Sequence, residues 1–351
     1  MKFGRLIFAQ IIWLGSGVSH ALSNGSEIDW REFDNIVYLS QPSRSDVNCI
    51  GHIVSGRYVL TSLKCLDLSE VQVLTRLNET RIIENIITFD VNSRLPPDIA
   101  IIVVNEPFSY SKVNFLKLDQ VNEGEEVRLF GLDEQKDLTS ITLRIKARSV
   151  DADLLEEEAP PYSVYAEPTS DNAYPNVSDI GSPWINQEGE LVAIHNSSRV
   201  IFNGESVLRE ASATSITSFL DLISININGW HYPTSISIDG RFQVVLQSLH
   251  LNEAASTAYT EGDVAIINSQ STCLTKVIIE PFDTCSYVLE SSGEPGQLYL
   301  SPQSYIDINQ KSDESSENSV AEESGAGAMG LWFLVFFAMV RCWFLSRDKY
   351  D

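Results

Sequence analysis

Short apolar runs separated by turn residues fill the chain from Asn35 to about Ile225. Ile36-Val37-Tyr38-Leu39, Ile53-Val54 and Arg57-Tyr58-Val59-Leu60 each predict a strand. Ile99 to Val104 reads Ile-Ala-Ile-Ile-Val-Val, too short for a helix and rich in β-branched residues. Val127 to Gly131, Ile141 to Ile145 and Leu191 to Ile194 continue the pattern, the second with strict alternation. Many strands with little helix predict an all-β domain, a barrel or a sandwich. The period changes once: Ser215 to Ile223 places Ile216, Phe219, Leu220 and Ile223 on one helical face.

Strand signals resume over 226–309, predicting a small second β domain. Thr234 to Ile238 and Arg241 to Leu246 flank Asp239-Gly240, which predicts a hairpin. Val264 to Ile267, Lys276 to Ile279 and Ser286 to Leu289 predict further strands. Residues 310–326 are Ser/Glu-rich without an apolar pattern, as a flexible stalk would be.

The two ends carry longer apolar stretches. A basic start (Lys2, Arg5), an apolar run from Leu6 to Val18 and the exit Ser19-His20-Ala21 predict a signal peptide over 1–21, cut after Ala21. Residues 327–345 predict a single transmembrane helix. Arg341 can snorkel near its end, and Trp343 and Phe344 suit the interface. Arg347 and Lys349 in the tail 346–351, with Arg341 before them, and the acidic stalk orient the span with the N-terminal domains outside, in the secretory pathway or at the cell surface. Ser324-Gly325-Ala326 leave a lipid anchor open as the alternative, though the charged tail argues against it. Cys342 is a candidate for palmitoylation or a plain cysteine.

A formal net charge of -24 excludes non-specific nucleic-acid binding, which needs clustered cations. Sequons at Asn24, Asn78, Asn176 and Asn196 mark candidate glycosylation sites, each of which must face solvent if used. Cys49, Cys65, Cys273 and Cys285 allow three disulfide connectivities, of which pairing each with its neighbour staples each domain separately. No clustered His/Cys set and no glycine-rich phosphate loop is present, so neither a metal nor a cofactor is expected.

Three segments, taken in order, resemble the chymotrypsin/trypsin-like serine protease family. Cys49-Ile50-Gly51-His52-Ile53-Val54 followed by Val59-Leu60-Thr61-Ser62-Leu63-Lys64-Cys65 is similar to the pattern that carries the catalytic histidine. Pro97-Asp98-Ile99-Ala100-Ile101-Ile102 is similar to the segment of the triad aspartate. Ser178-Asp179-Ile180-Gly181-Ser182-Pro183 resembles the nucleophile loop, followed by a strand at Leu191 to Ile194. The resemblance covers about 34–225 and implies a double β-barrel closed by the C-terminal helix. It also implies a Cys49–Cys65 bridge.

On that resemblance the triad positions are Lys64, Asp98 and Ile180. The mechanism needs a hydroxyl, an imidazole and a carboxylate, and only the carboxylate is present. Ser178 stands where a glycine amide helps to form the oxyanion hole. His52 and His195 lie in or beside strands and read as packed or surface residues, not relocated bases. The activation terminus of the family has no counterpart at Asn35-Ile36-Val37-Tyr38, so Asp179 lacks that partner and is expected to cap its loop or meet another cation. Tyr174 is expected to fill a specificity pocket, and Lys64 either to form a buried ion pair with Asp98 or to point into an open cleft. The resemblance therefore implies an inactive, membrane-anchored protease homologue that binds proteins of unknown identity. An active hydrolase with an unusual site, and an adhesive or structural surface glycoprotein, are the alternatives.

Overall fold

The computed structural model describes residues 22, 24–41, 44–66, 71–75, 80–89, 97–133, 137–147, 160–170, 172–203 and 206–310. The predicted signal peptide, Asn78, nearly all of the stalk, the C-terminal apolar stretch and Cys342 lie outside the described residues. Among the described residues, no helix is long and apolar enough to cross a membrane.

A two-residue strand, β1 (Ser26–Glu27), precedes the first barrel. That barrel comprises β2 (Ile36–Gln41), β3 (Arg44–Val54), β4 (Tyr58–Thr61), β5 (Gln72–Leu74), β6 (Thr80–Arg81), β7 (Ile83–Thr88) and β8 (Ala100–Val104), in the order β6-β5-β2-β3-β4-β8-β7. Alternation along β2 sends Ile36 and Tyr38 to one core cluster and Val37 and Leu39 to another. Strand β8 is buried at every position, which is why its sequence is a continuous apolar run.

The second barrel comprises β9 (Glu126–Leu132), β10 (Leu138–Lys146), β11 (Ser163–Pro168), β12 (Pro183–Asn186), β13 (Leu191–Asn203) and β14 (Ser206–Ser215). It is a closed ring in the order β9-β10-β11-β14-β13-β12, and β1 pairs with β10 outside it. The predicted helix begins later than its apolar period suggests. Ser215 is the last residue of β14, Thr217–Phe219 is a 3-10 turn, and the helix proper is α1 (Leu220–Ile227). Ser215 donates its N–H to Tyr162 O as the end of the strand ladder, so it is not free to start a helix. Ile216, Phe219, Ile223 and Ile227 enter one cluster with Ile50 and Leu60 of the first barrel and Phe130 and Ile194 of the second.

Beyond α1 come β15 (Gly229–His231), β16 (Ser235–Ile236), β17 (Gly240–Leu249), β18 (Tyr259–Gly262), β19 (Ala265–Ile266), the short α2 (Thr272–Thr275), β20 (Thr284–Ser291), β21 (Gly296–Ser301) and β22 (Ser304–Ile308). They form two four-stranded sheets, β15-β17-β20-β19 and β16-β22-β21-β18, which share one core through Leu246, Leu289, Leu298 and Ile306. The hairpin predicted across Asp239-Gly240 does not form. Gly240 turns with φ +86, but the flanking segments leave for different sheets. Ser235 and Ile236 pair in parallel with Asp307 and Ile308, and Ile238 N–H donates to Asn309 Oδ1 at 2.7 Å, while Gly240–Gln247 pairs with β20. The strand predicted at Lys276 to Ile279 is also absent. The Cys273–Cys285 disulfide holds the preceding residues in α2, and Val277 is left exposed.

The sandwich is stitched to the barrels rather than hung from them. Gln247 accepts from Leu116 N–H at 2.9 Å and donates to Leu116 O at 3.2 Å, on the connector between the barrels. Thr234 Oγ1 donates to Phe108 O at 2.6 Å, and Tyr110 donates to Tyr232 O at 2.7 Å. Buried His231 donates from Nε2 to Asn114 O (3.1 Å) and accepts Ser55 N–H at Nδ1 (3.1 Å), joining β15 to the connector and to the β3–β4 turn.

Candidate functional site

The Cys49–Cys65 disulfide is formed, and a 3-10 turn over Leu63–Leu66 lifts Lys64 out of the first barrel. Asp98 lies just before β8. Its Oδ1 accepts from Ser62 Oγ (2.5 Å) and from Lys64 N–H (3.2 Å). Lys64 Nζ stands 3.0 Å from Asp98 Oδ2 and donates to Asn196 O at 2.9 Å, on β13 of the other barrel. The expected Lys64–Asp98 pair is thus present but not buried: the lysine side chain is 52% exposed and the aspartate 16%. Water screens such a pair, so it is worth about 1 kcal/mol or less rather than the cost of a buried charge.

Three residues that sequence reasoning passed over complete this seam. Ser62 is buried with its hydroxyl against the Asp98 carboxylate, so it faces no substrate. Thr214 Oγ1 donates to Asp98 O at 3.1 Å. Ser212 Oγ donates to Asn196 Oδ1 (2.6 Å), while Asn196 Nδ2 donates to Thr214 Oγ1 (3.3 Å). Asn196 stood out in sequence only as a sequon; here it is half-buried, with both ends of its amide engaged. The sequon residue Asn24 is exposed, and Asn176 is half-buried.

The loop 176–183 crosses between the barrels. Val177–Asp179 is a 3-10 turn, and Ile180 packs its side chain against the cluster that contains Cys49 and Cys65. Ile180 O accepts from Ile50 N–H at 2.9 Å. Gly181 has φ +86, and a Cβ there would lie 2.1 Å from Ile50 O, so no larger residue fits. The N–H groups of Asp179, Gly181 and Ser182 donate to Asn176 O, His195 O and Asp179 O. Ser182 is buried, its hydroxyl donating to Phe130 O and accepting Phe130 N–H. Ser178 Oγ is buried and has no hydrogen-bond partner among the described residues.

Asp179 is fully buried. Its Oδ2 caps the loop by accepting Asn176 N–H at 2.6 Å, and its Oδ1 has no hydrogen-bond partner among the described residues. Burial pushes its pKa well above the ordinary carboxylate value. Tyr174 lies under the Arg209 guanidinium, 3.5 Å from its ring centroid, a cation–π stack.

Neither His52 nor His195 is built as a base. His52 has its pKa lowered to about 3 by burial, with His231 adding to the effect. His195 is lowered to about 3 by burial and then by the Lys64 charge. His195 Nε2 lies 2.8 Å from Ser198 Oγ, a serine–histidine contact, but its Nδ1 has no partner among the described residues to orient the ring. A base of such low pKa removes a serine proton poorly at neutral pH. Among the described residues, no group of three or more His, Cys, Asp or Glu can hold a metal ion.

The Trypsin family model matches residues 23–223. Among solved structures, neuropsin, a serine protease expressed in the limbic system of mouse brain, is 17% identical with a TM-score of 0.48, covering 58% of this chain and 99% of its own. The secreted serine protease VesC from Vibrio cholerae is 15% identical with a TM-score of 0.45, covering 81% of this chain and 70% of its own. Neither likeness adds to the family match. No curated protein matches the chain.

Proposed function

The chain belongs to the trypsin family over residues 23–223, and from that membership we propose that it is a catalytically inactive homologue that works by binding other proteins. The observation that carries this reading is what stands beside Asp98. Instead of an imidazole there is the Lys64 ammonium, committed to the carboxylate and to Asn196 O. Instead of a hydroxyl the loop presents Ile180, packed on the cluster around Cys49 and Cys65. An ammonium paired with a carboxylate has no lone pair to take a proton, and an aliphatic side chain has none to attack a carbonyl.

The same proposal carries the targeting reading. The chain enters the secretory pathway through a signal peptide removed after Ala21 and carries glycans on exposed sequons such as Asn24. A single span over 327–345 then retains it in the membrane with the barrels outside.

Incubation of the purified chain with a fluorophosphonate probe tests the central claim. No covalent adduct should form beyond that of a heat-denatured control. Labelling that maps to any serine of the barrels sinks the proposal.

A further inference from the structure

We propose that the outer face of the sheet β16-β22-β21-β18 is a docking surface for an arginine-bearing segment of a partner protein, with the guanidinium stacked on Tyr259 and paired with Glu261. The inference rests on the protein-binding reading given under the proposed function and names the kind of partner.

The two faces of this sheet are unlike. Leu298, Leu300, Ile306 and Ile308 point into the sandwich core. The alternate residues face out, and the strand register sorts them into two rows across β18, β21 and β22. Tyr259 pairs with Tyr299 and Tyr299 with Tyr305, while Glu261 pairs with Gln297 and Gln297 with Asp307. The first row is a tyrosine ladder. Tyr259 and Tyr299 are stacked, with ring centroids 4.7 Å apart and planes 4° from parallel, and Tyr299 meets Tyr305 at 5.6 Å. Tyr299 donates its hydroxyl to Gln297 Oε1 at 2.6 Å, and Gln297 Nε2 donates to Asp307 Oδ1 at 2.8 Å, which ties the two rows together.

The ladder is open at Tyr259. Strand β18 is the last of its sheet, so no strand covers the ring face turned away from Tyr299, and the residue is 46% exposed. Glu261 rises from the same side of β18, about 7 Å along the strand. It is exposed and has no hydrogen bond or ion pair among the described residues. Desolvation and then the Glu261 carboxylate raise the pKa of the Tyr299 hydroxyl, which places that carboxylate within electrostatic reach of the ladder.

An aromatic face beside a free carboxylate suits a cation. The sandwich does not supply one. Residues 226–309 hold nine acidic and two basic side chains, and the basic ones, Arg241 and Lys276, are paired with Glu290 and Asp283. Among the described residues no cation stacks on the three tyrosines. Arginine fits better than lysine. A planar guanidinium lies flat on a ring while its N–H groups reach a carboxylate, and it sheds water more readily than an ammonium. The Tyr259 ring, already held by Tyr299, loses little freedom on binding.

The test uses the full chain purified in detergent. The probe is a fluorescein-labelled hexapeptide of alternating arginine and serine, with the matched lysine–serine peptide as a control of equal charge. Anisotropy titrations are run at about 0.15 M salt, where long-range attraction to the acidic chain is screened. Wild type should bind the arginine peptide about three- to tenfold more tightly than the lysine peptide, as a partly exposed cation–π contact predicts. Tyr259→Leu should abolish that preference. Glu261→Gln should weaken the arginine peptide, whereas Glu280→Gln, outside these three strands, should not. All three positions are exposed, so the variants should melt with wild type. Equal affinity of wild type for the two peptides, or undiminished binding of the arginine peptide by Tyr259→Leu, overturns the proposal. An equal loss in Glu261→Gln and Glu280→Gln would show attraction to net charge alone and overturns it as well. Fluorophosphonate labelling, which decides the wider reading, is independent of these titrations, so the two failures are distinguishable.

Discussion

Acidification should loosen this protein well before its surface carboxylates titrate, and His231 is the place to measure it. His52, His195 and His231 are fully buried, with pKa values lowered from 6.5 to about 3, about 3 and about 4, in each case chiefly by burial. A group whose folded pKa lies below its unfolded value binds protons preferentially in the unfolded chain. Stability that is complete above pH 6.5 is therefore lost as pH falls toward the folded value. From pH 7 to pH 5 each histidine costs about 2 kcal/mol, and the three together about 5–6 kcal/mol, a large part of a typical folding free energy. Two effects oppose the loss. Unpaired Asp179, whose folded pKa is raised, gains stability as pH falls, and the large negative charge is partly neutralised. The difference between wild type and His231→Gln removes both. Glutamine can still donate to Asn114 O and accept Ser55 N–H, but it does not titrate. Urea unfolding followed by tryptophan fluorescence at pH 7, 6 and 5 should show the variant losing about 2 kcal/mol less than wild type across that range. In hydrogen exchange, the Ser55 amide should lose protection on acidification only in wild type. Identical pH dependence in the two proteins would refute the reasoning.

Other outcomes follow from the seam between the barrels. Lys64→Ala should cost at most about 1 kcal/mol in urea unfolding, because the pair is half in water and Asp98 keeps Ser62 and the backbone N–H of position 64; a loss above about 3 kcal/mol would mean that the pair is dry. Ile180→Ser should gain no fluorophosphonate labelling, since Lys64 remains in place of a base, and should lose about 1–2 kcal/mol as apolar packing on the cluster around Cys49 and Cys65 disappears. Labelling of the introduced hydroxyl by the probe would show that a base is available after all. Asn24 should carry a glycan while Asn196 stays bare, because Ser212 and Thr214 hold its amide at both ends; glycopeptide mapping that finds Asn196 modified would overturn this.

Most of the barrel architecture was legible in the linear chain because strands are local patterns. The alternation in β2, the buried run of β8 and the order of the cysteine, aspartate and glycine-serine-proline segments all survive in the structure. The candidate site was legible as a list of residues, Lys64, Asp98 and Ile180, but not as a set of contacts. Lys64 reaches Asn196 O across 132 positions, and Thr214 reaches Asp98 across 116. Nothing in a sequon or a lone threonine announces those partners. In the sandwich the local signal misled. An Asp-Gly turn between two β-rich segments normally makes a hairpin, yet here the two segments pair with different strands, β22 and β20.

The amino-acid sequence by itself determined most of the barrel strands and the residue types at positions 64, 98 and 180, since each follows from residue type and short-range period. Tertiary structure alone decided the electrostatics. Burial is a property of everything packed around a group, and it drives three histidines down, drives Asp179 up and leaves Lys64 in water. The same long-range packing brings both Leu22 and Asp179 beside Gly131 and seats His231 between two domains, juxtapositions with no local signature because their cause is the closure of the whole chain.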